Sequence, residues 1–403
     1  MVHIENHVQG TVKAGFERVR KEFEHNFTEQ NELGAAVAVY HKGKKVVDLW
    51  GGIRDKSSGA PWEQDTMTVV YSTTKGMSAM AVAVAHSHGL FDFDESVATY
   101  WPEFAQNGKE NVTVRQLLNH QAGLCAIDEP LDFDTLADPD RLAAVLARQK
   151  PAWEPGTRQG YHGVSLGWYE SVLIRCTDPQ KRTIGQYFHD EIAKPLALDF
   201  YIGLPTDIPR SRLATIDGYK NWRMLFHLNK MPWRFAVGML NPRSLTARSF
   251  ANPPFLAEIN SYNDPRIQRI EIPAVNGIGT ARSIAKAYGE FATRGQKLDL
   301  KEETLQALYE PAQPPSEGVF DRVMGVDTAF SLGFLKPFPL ARFGQDDNKS
   351  FGTPGAGGSF GFADPTSEIG FAYIMNKSGF YIFDDPRELS LRNAVYESLD
   401  KMA

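Results

Sequence analysis

Ser72 and Lys75 are the two residues whose types and spacing most directly suggest chemistry. They stand three positions apart where the stretch VVYSTTKGMSAMAVAVAHSHGL (69–90) becomes apolar. Positions i and i+3 share one face of a helix, so both side chains would point the same way. A serine hydroxyl needs a base before it can attack, and apolar neighbours favour the neutral, basic form of a lysine. The spacing therefore predicts a nucleophile and its activator at the first turn of a buried helix.

The same Ser-x-x-Lys spacing occurs three times, and its surroundings separate the copies. Ser283 and Lys286 open an amphipathic pattern, which predicts a capping serine and an exposed lysine. Ser398 and Lys401 lie in a polar tail and are predicted to share a solvated helix face. Only Ser72 follows a β-favouring run and leads into an apolar helix, so it is the predicted nucleophile.

Strand patterns lie towards both ends of the chain, and helical patterns fill its middle. GAAVAVYHKGKKVVDLWGG (34–52) contains two β-favouring runs around Lys42-Gly43 and predicts a hairpin. Thr280 and Gly295 are typical of a helix start and a helix stop. The other expected elements are an amphipathic helix through Val12, Phe16, Val19, Phe23 and Phe27, helices within 112–124 and 167–176, strands within 327–335, 358–365 and 368–377, and a last helix within 385–400.

This order of elements predicts an α/β (α+β) fold in two domains. One α/β domain is expected from both chain ends, residues 1–90 and 271–403. A mainly helical domain, residues 91–270, is expected to be inserted between them. It includes an aromatic-rich segment, residues 215–255, for which two interpretations stay open: ordinary core packing, or loops that shape a substrate pocket.

Composition and charge argue against several classes of function. The 403 residues carry a net charge of −6, which predicts no attraction to nucleic acid or to an anionic membrane. Two cysteines, Cys125 and Cys176, imply no disulfide framework and are expected to be reduced, buried thiols. The N-terminus lacks the apolar core of a signal peptide, and no apolar run is long enough to span a bilayer. A cytoplasmic protein is therefore expected.

The sequence predicts neither a cofactor nor a metal. It has no phosphate-binding loop of the Gly-Lys-Ser/Thr type and no dinucleotide fingerprint. His86 and His88 are two residues apart on a predicted helix and would point in nearly opposite directions, so they cannot share one ion. The patterns do not determine the oligomeric state.

Three stretches together resemble a known superfamily. STTK (72–75), LFDFDESVATYWPEF (90–104) and VTVRQLLNHQAGL (112–124) are similar to the serine β-lactamases and penicillin-binding proteins. The resemblance is to the class C-like branch that contains the family VIII carboxylesterases, and it covers most of residues 30–400. It implies a β-lactamase-like fold, in which an antiparallel sheet flanked by helices carries an inserted, mainly helical domain.

The tyrosine motif of this family falls at EPGTRQGYHGVSLGW (154–168). The resemblance assigns Tyr161 the role of facing the serine and moving its proton, first as a base and then as a donor to the leaving group. His162 beside it is expected to contact substrate. The class C pattern prefers an asparagine two residues after the tyrosine, where this chain has Gly163. That departure weakens any expectation of efficient β-lactam hydrolysis.

The Lys-Thr-Gly strand of the family corresponds to Thr353, Pro354 and Gly355 in GTPGAGGSFGFADP (352–365). The resemblance implies that the backbone N–H of Ala356 joins that of Ser72 in an oxyanion hole. It also implies that Thr353, Gly355 and Gly357 contact substrate. Because Thr353 carries no charge, the lysine that would hold a penicillin-like carboxylate is missing. This favours neutral esters.

These observations predict a serine carboxylesterase that hydrolyses small carboxylic esters through an acyl-enzyme, with weak β-lactamase activity allowed by the same residues. The expected partner is therefore a small-molecule ester. Two alternatives use the same family likeness: an acyltransferase or D-peptidase/amide hydrolase with the same Ser-Lys-Tyr site, and a non-catalytic protein that binds acyl ligands.

A further alternative comes from two Gly-x-Ser-x-Gly pentapeptides, centred on Ser165 and Ser359. They raise the possibility of an α/β-hydrolase with Ser165 as nucleophile. Such a nucleophile needs a strand leading into its turn and a helix leaving it. A turn-rich stretch precedes Ser165 and a strand follows Ser359, so neither context fits well.

Overall fold

Strands from both ends of the chain form one antiparallel sheet. The computed structural model describes residues 8–345 and 347–402; the first seven residues, which the sequence analysis treats as part of the folded chain, lie outside this description. The strands are β1 (Gln9–Val12), β2 (Gly34–His41), β3 (Lys44–Asp55), β4 (Ala60–Pro61), β5 (Thr68–Val69), β6 (Phe200–Tyr201), β7 (Ile278–Gly279), β8 (Phe330–Ser331), β9 (Phe334–Leu335), β10 (Phe351–Pro354), β11 (Phe360–Asp364) and β12 (Ile369–Met375).

The main sheet has the order β1-β3-β2-β12-β11-β10-β9-β8, with β4 paired to β3. Every pairing in it is antiparallel. Its centre joins the two chain ends, because β2 pairs with β12 over seven residues from Ala35 with Met375 to His41 with Ile369. A small second sheet has the order β5-β7-β6. The antiparallel sheet agrees with the fold predicted from the sequence.

Helices cover the sheet and fill the middle of the chain. They are α1 (Glu17–Glu29), α2 (Thr73–Ser87), α3 (Val97–Tyr100), α4 (Val114–Leu118), α5 (Phe133–Ala137), α6 (Pro139–Arg148), α7 (Ser165–Thr177), α8 (Ile184–Phe188), α9 (Trp233–Leu240), α10 (Leu245–Ala251), α11 (Pro265–Arg269), α12 (Ala281–Ala292), α13 (Glu302–Tyr309) and α14 (Pro386–Asp400). The division into residues 1–90 with 271–403 and an inserted 91–270 remains our proposal.

Alternation along β2 separates the two layers that pack on the sheet. Val37 and Val39 belong to the core beneath α1 and α14, whereas Ala38 belongs to the core beneath α12. Successive strand residues point to opposite faces, so β2 serves both cores. On the α12 side the contact is close: a Cβ added to Gly370 would lie 2.1 Å from the backbone nitrogen of Gly289. Only a glycine at position 370 permits this approach.

The predicted hairpin and several helix limits are confirmed. Strands β2 and β3 meet at Lys42 and Gly43, whose φ angles of 51° and 69° are those of a tight hairpin turn. Thr280 caps α12 by accepting a hydrogen bond from the N–H of Ser283. Gly295 follows that helix with a φ of 61°.

Several local predictions are wrong or only partly confirmed. Val12 lies in β1 opposite Val47, and the N-terminal helix begins only at Glu17. The helix expected within 112–124 is present but short: it spans Val114–Leu118 and ends before His120, which adopts a φ of 60°. Ser398 is buried and its hydroxyl donates to the carbonyl of Ala394, so it lies on no solvated face.

The remaining differences concern the second Ser-x-x-Lys pair and the thiols. Lys286 is half-buried, and its ammonium donates to the Leu196 carbonyl. Both cysteines are free, as expected, but only Cys125 is buried, whereas Cys176 is exposed. Within residues 8–345 and 347–402, no helix has both the length and the hydropathy needed to cross a bilayer.

Arg387 at the start of α14 ties that helix to the sheet. Its guanidinium donates to both carboxylate oxygens of Asp385, at 2.9 Å each, and to Glu32 at 3.2 Å. It also donates to the carbonyl of Gly357 at 2.7 Å. All three charged side chains are buried. The group therefore links α14 and the segment before β2 to the glycine-rich turn after β10.

Arg387→Ala should lower the free energy of unfolding by about 3–5 kcal/mol, because it leaves Glu32 and Asp385 as uncompensated buried charges. The exposed pair Arg18–Glu397 provides the matched control. Arg18→Ala should cost less than about 1 kcal/mol. Urea unfolding followed by circular dichroism measures both. Equal costs for the two variants would contradict the structural role given to Arg387.

Candidate active site

The start of α2 brings the hydroxyl of Ser72 and the amine of Lys75 together. Ser72 is the N-cap residue of this helix, and its Oγ lies 3.2 Å from the Nζ of Lys75. Within Thr73–Ser87 every residue except His86 is buried. The i, i+3 geometry expected from the sequence is therefore present, on a helix enclosed by protein on all sides.

The backbone before Ser72 is held in a tight turn. Tyr71 adopts a φ of 47°, a conformation that a bulky residue rarely takes. Its ring packs edge-on against Tyr262 at 5.0 Å, and its hydroxyl donates to the carbonyl of Ile259 at 3.1 Å. These contacts stabilise the strained backbone of Tyr71, and this backbone positions Ser72 at the N-terminal end of α2.

Lys75 has three polar partners in a buried setting. Besides Ser72, its Nζ donates to the carbonyl of Gly163 at 2.6 Å and to that of Ala274 at 3.0 Å. Burial lowers the pKa of Lys75 to about 7, against a smaller opposing effect from the Glu170 carboxylate. In the neutral form its two N–H groups satisfy the two carbonyls, which leaves the lone pair facing Ser72. The arrangement suits a base.

The phenol of Tyr161 faces the same hydroxyl. The Ser72 side chain is near enough to oppose the rise in the pKa of Tyr161, and the Tyr161 ring centroid lies 4.7 Å from the Nζ of Lys75. Burial raises the pKa of Tyr161 well above that of an ordinary tyrosine. The phenol therefore stays protonated near neutral pH and can donate a proton more readily than it can accept one.

Asp321 holds the segment that carries Tyr161, and sequence reasoning missed it. One oxygen of this buried carboxylate accepts the backbone N–H of Tyr161 at 3.1 Å and those of Val323 and Met324 at 2.8 Å each. The other accepts the hydroxyl of Thr328 at 3.2 Å. No spacing in the sequence relates positions 161 and 321, so no local signal could have found this contact.

The glycine-rich turn after β10 lies against the start of α2. The hydroxyl of Ser359 donates to the carbonyl of Val70 at 2.8 Å and lies 3.0 Å from the hydroxyl of Thr73. A Cβ added to Gly355 would lie 2.3 Å from both Ser359 Oγ and the Val70 carbonyl oxygen. Glycine is therefore required at 355 for this approach.

Two backbone N–H groups at this junction have no acceptor. Across the described parts of the chain, neither the N–H of Ser72 nor that of Ala356 donates a hydrogen bond to the protein. Both residues line the same cavity. Free backbone donors beside a nucleophile are what a developing oxyanion needs.

The cavity above Ser72 has a volume of about 510 Å³ and is largely apolar. Within the described part of the chain, Lys75 is the only Lys, Arg, Asp or Glu among its lining residues. Thr353, Gly355 and Gly357, which the family likeness predicts to contact substrate, are among its lining residues. The aromatic-rich segment contributes much of the wall, with Tyr219, Trp222, Met224, Leu228, Met231, Phe235, Ala236, Met239, Leu240 and Phe250.

His162 does not line this cavity, although it was expected to contact substrate. It is fully buried; its Nδ1–H donates to the carbonyl of Gly160 at 2.8 Å, and its Nε2 accepts the N–H of Leu124 at 3.0 Å. Burial lowers the pKa of His162 to about 4, so the ring is neutral. His120 lines the cavity instead, with its ring 5.2 Å from that of Tyr161.

Glu170 is a second residue that sequence reasoning missed. It lies on α7, is fully buried, and neither carboxylate oxygen has a hydrogen-bond partner within the described residues. Burial raises the pKa of Glu170 to about 8, and the opposing influence is the charge of Lys75. The sequence feature that could have identified Glu170 is that it is the single acidic residue within the mainly apolar run SLGWYESVLI (165–174).

Neither Gly-x-Ser-x-Gly serine lies in the position of a nucleophile. The hydroxyl of Ser165 donates to the carbonyl of Leu124 at 2.7 Å, and neither Ser165 nor Ser359 lines the cavity. With the antiparallel sheet, this rules out the α/β-hydrolase interpretation. In the part of the chain that the structure covers, no group of three or more His, Cys, Asp or Glu side chains could hold a metal ion.

Comparison with known proteins gives consistent matches along the whole chain. A profile of the Beta-lactamase family matches residues 17–393. The chain is 31% identical over 381 residues to the esterase/beta-lactamase LipL of Mycobacterium tuberculosis, covering 92% of this chain and 83% of that protein.

Two solved structures are similar over nearly their full length. A family VIII carboxylesterase has a TM-score of 0.83 and 34% identity, covering 97% of this chain and 99% of that one. A penicillin-binding protein homologue from Caulobacter crescentus has a TM-score of 0.82 and 33% identity, with the same coverage.

Ser359→Ala tests whether the hydroxyl of Ser359 holds the glycine turn in place. Ser165→Ala is the matched control, because it also removes one buried hydroxyl that donates to a carbonyl. Each variant should lose about 1–3 kcal/mol of unfolding free energy. The labelling rate of Ser72 by a fluorophosphonate should fall about tenfold in Ser359→Ala, since one oxyanion donor is displaced. It should stay near the wild-type rate in Ser165→Ala. Similar labelling rates in both variants would contradict this role.

Proposed function

The chain belongs to the beta-lactamase family of serine hydrolases, and we propose that it is a carboxylesterase that hydrolyses small, uncharged esters through an acyl-enzyme. One observation carries the proposal: the Ser72, Lys75 and Tyr161 side chains converge at a cavity whose only ionic side chain is Lys75. The esterase named in the LipL relative and the family VIII carboxylesterase structure support the same chemistry. A non-catalytic binding protein is not favoured, because every reactive group is present.

In the acylation step, the neutral amine of Lys75 accepts the proton of Ser72 while Oγ attacks the ester carbonyl carbon. The carbonyl π bond breaks, and the negative charge moves to the oxygen, which the N–H groups of Ser72 and Ala356 receive. The carbonyl bond then re-forms as the C–O bond to the alcohol breaks, Tyr161 protonates the departing alkoxide, and the ammonium of Lys75 returns a proton to the resulting phenoxide. An alcohol leaves, and Ser72 carries the acyl group.

In the deacylation step, water takes the role of the attacking group and Ser72 becomes the leaving group. The base formed by Lys75 and Tyr161 accepts a proton from water, whose oxygen attacks the acyl carbon. The tetrahedral species collapses, the bond to Ser72 Oγ breaks, and the serine regains a proton. The carboxylic acid is released and the enzyme returns to its starting state.

The cavity selects the substrate class by charge and polarity. A carboxylate-bearing substrate would find no arginine and no second lysine among the lining residues. Aromatic and methionine side chains instead match apolar acyl or alcohol groups. We therefore place β-lactams among poor substrates.

An acyltransferase or amide hydrolase would use the same groups, and adding alcohol or amine acceptors to an ester assay distinguishes them. A cytoplasmic location is part of this proposal and is supported by the two free cysteines.

Ser72→Ala should abolish hydrolysis of a p-nitrophenyl ester, with a fall in kcat of about 10³-fold or more, because the covalent route is lost. Ser165→Ala should retain much of the wild-type rate. Mass spectrometry of the fluorophosphonate-labelled protein should find the modification on Ser72. A label on Ser165, or turnover that survives in Ser72→Ala, would refute the assignment.

The pH profile of kcat/KM tests the protonation state of Lys75. Activity requires the neutral amine, so kcat/KM should rise with pH through a midpoint near the Lys75 pKa of about 7. Glu170→Gln removes the nearby carboxylate that favours the ammonium form. Because the pKa of Glu170 is about 8, its carboxyl is only partly ionised near pH 7, so the midpoint should move to lower pH by a fraction of a unit. The other titratable groups around Lys75 are His120, His162 and Tyr161.

A merely structural role of Glu170 would lower the melting temperature without moving this midpoint. An unchanged midpoint in Glu170→Gln, or one shifted to higher pH, would contradict the role of Glu170 as a positioning residue for the lysine proton.

A further inference from the structure

Large apolar side chains are exposed in one short segment of the surface. Nine large hydrophobic residues are exposed in the described chain, and six of them fall between positions 222 and 240. We define these six as the apolar face: Trp222, Phe226, Leu228, Trp233, Val237 and Leu240. Phe226 is 73% exposed and Trp233 is 68% exposed. Such a concentration of exposed aromatic and aliphatic surface marks an interaction site.

The same segment is strongly basic although the whole chain is acidic. Residues 218–257 contain no Asp or Glu, within a protein of net charge −6. The six basic side chains in this range are Lys220, Arg223, Lys230, Arg234, Arg243 and Arg248. Lys220, Arg223 and Arg243 are exposed, and within the described residues none of the three has a carboxylate at ion-pair distance. Arg248 pairs with Asp128, but the positive charge of Lys220, Arg223 and Arg243 is left without an ion-pair partner in the described chain.

The apolar face is continuous with the wall of the cavity above Ser72. Trp222, Leu228 and Leu240 are exposed and also line the cavity. The side chains of helix α9 lie on two faces, one exposed and one towards the cavity. Trp233 and Val237 point outward with Leu240, whereas Phe235, Ala236 and Met239 line the cavity. A molecule that contacts the apolar face therefore lies at the entrance to the nucleophile.

We propose that this apolar, basic face docks on an anionic lipid–water interface. Exposed Trp and Phe next to Lys and Arg are the combination that partitions into the headgroup region of anionic bilayers. Symmetric pairing with a second copy is disfavoured, because it would bring two equally basic faces together. If the proposed esterase function holds, esters dissolved in the lipid reach Ser72 through this opening without crossing bulk water.

The proposal differs from the expectation drawn from net charge. A value of −6 summed over the whole chain predicted no attraction to an anionic membrane. Charge attraction at a surface acts over about 10 Å at moderate ionic strength, so the local charge of the face decides the contact. The acidic side chains elsewhere do not cancel it.

Flotation with lipid vesicles tests the docking, and the Ser72→Ala protein is used so that hydrolysis plays no part. The Ser72→Ala protein with an otherwise unchanged sequence should co-float at low salt with vesicles of phosphatidylcholine and phosphatidylglycerol. Binding should weaken as salt is added, and it should be about tenfold weaker with phosphatidylcholine alone. Equal binding to the two vesicle types, or no binding to either, would overturn the proposal.

Two double variants separate the apolar and the electrostatic contributions. Phe226→Ala/Trp233→Ala removes exposed rings that do not line the cavity, and Lys220→Glu/Arg223→Glu reverses unpaired charges. Each should reduce partition into the anionic vesicles about tenfold. Lys21→Glu/Leu340→Ala changes one exposed basic residue and one exposed apolar residue elsewhere on the surface and should bind like the parent protein.

The same double variants made with Ser72 intact should hydrolyse a soluble short-chain ester at the wild-type rate, which shows that they are folded. Sedimentation of the protein without lipid measures whether it forms a dimer. A wild-type dimer that Phe226→Ala/Trp233→Ala dissociates would assign the face to a second copy and overturn the lipid proposal. Loss of ester hydrolysis alone would affect only the proposed function, because flotation does not depend on it.

Discussion

The contact between Lys75 and its three oxygen partners is the constraint on which the rest of the site depends. Burying an amine is costly unless its polar hydrogens are satisfied. Here the carbonyls of Gly163 and Ala274 satisfy them, and both come from segments distant from α2 in the chain. The lysine therefore joins three parts of the molecule while its own burial keeps its pKa near neutrality. Stability and chemistry rest on the same side chain.

Glycines make this convergence possible where backbone must approach side chains. At position 163 an added Cβ would lie 2.5 Å from the ring of Phe250, so either that ring or the backbone that receives Lys75 would have to shift. At position 355 the turn lies against the start of α2 and is fastened there by Ser359. Arg387 holds the same turn from the opposite side through the carbonyl of Gly357. The free N–H groups are thus presented by backbone that is fixed from two directions.

The aromatic-rich segment has two different surfaces, and this explains its composition. Its inner side chains line the cavity, and its outer ones remain exposed among basic residues. A segment that only packed in the core would bury its aromatic residues, and one that only faced water would carry few of them. The sequence is compatible with both core packing and pocket shaping, and the lining residues favour pocket shaping.

Local patterns in the sequence predicted what neighbouring residues decide. The spacing of Ser72 and Lys75, the Lys42-Gly43 hairpin and the Thr280 cap follow from backbone geometry over a few residues, and the structure has each of them. The resemblance to the serine β-lactamases predicted the family and the antiparallel fold, which are confirmed, and it brought Tyr161 into consideration. Val12 was assigned to a helix because its spacing matched one, but pairing with Val47 places it in a strand.

Only the tertiary structure decided which other residues surround the reacting groups. Asp321 and Glu170 reach Tyr161 and Lys75 across more than ninety residues of sequence, and no spacing rule relates such positions. His162 was expected at the substrate because it adjoins Tyr161, yet its ring points into the protein and His120 lines the cavity instead. Residue type and short-range spacing specify which chemistry is available. The direction in which each side chain points depends on packing between distant segments, so it is determined only when the chain is folded.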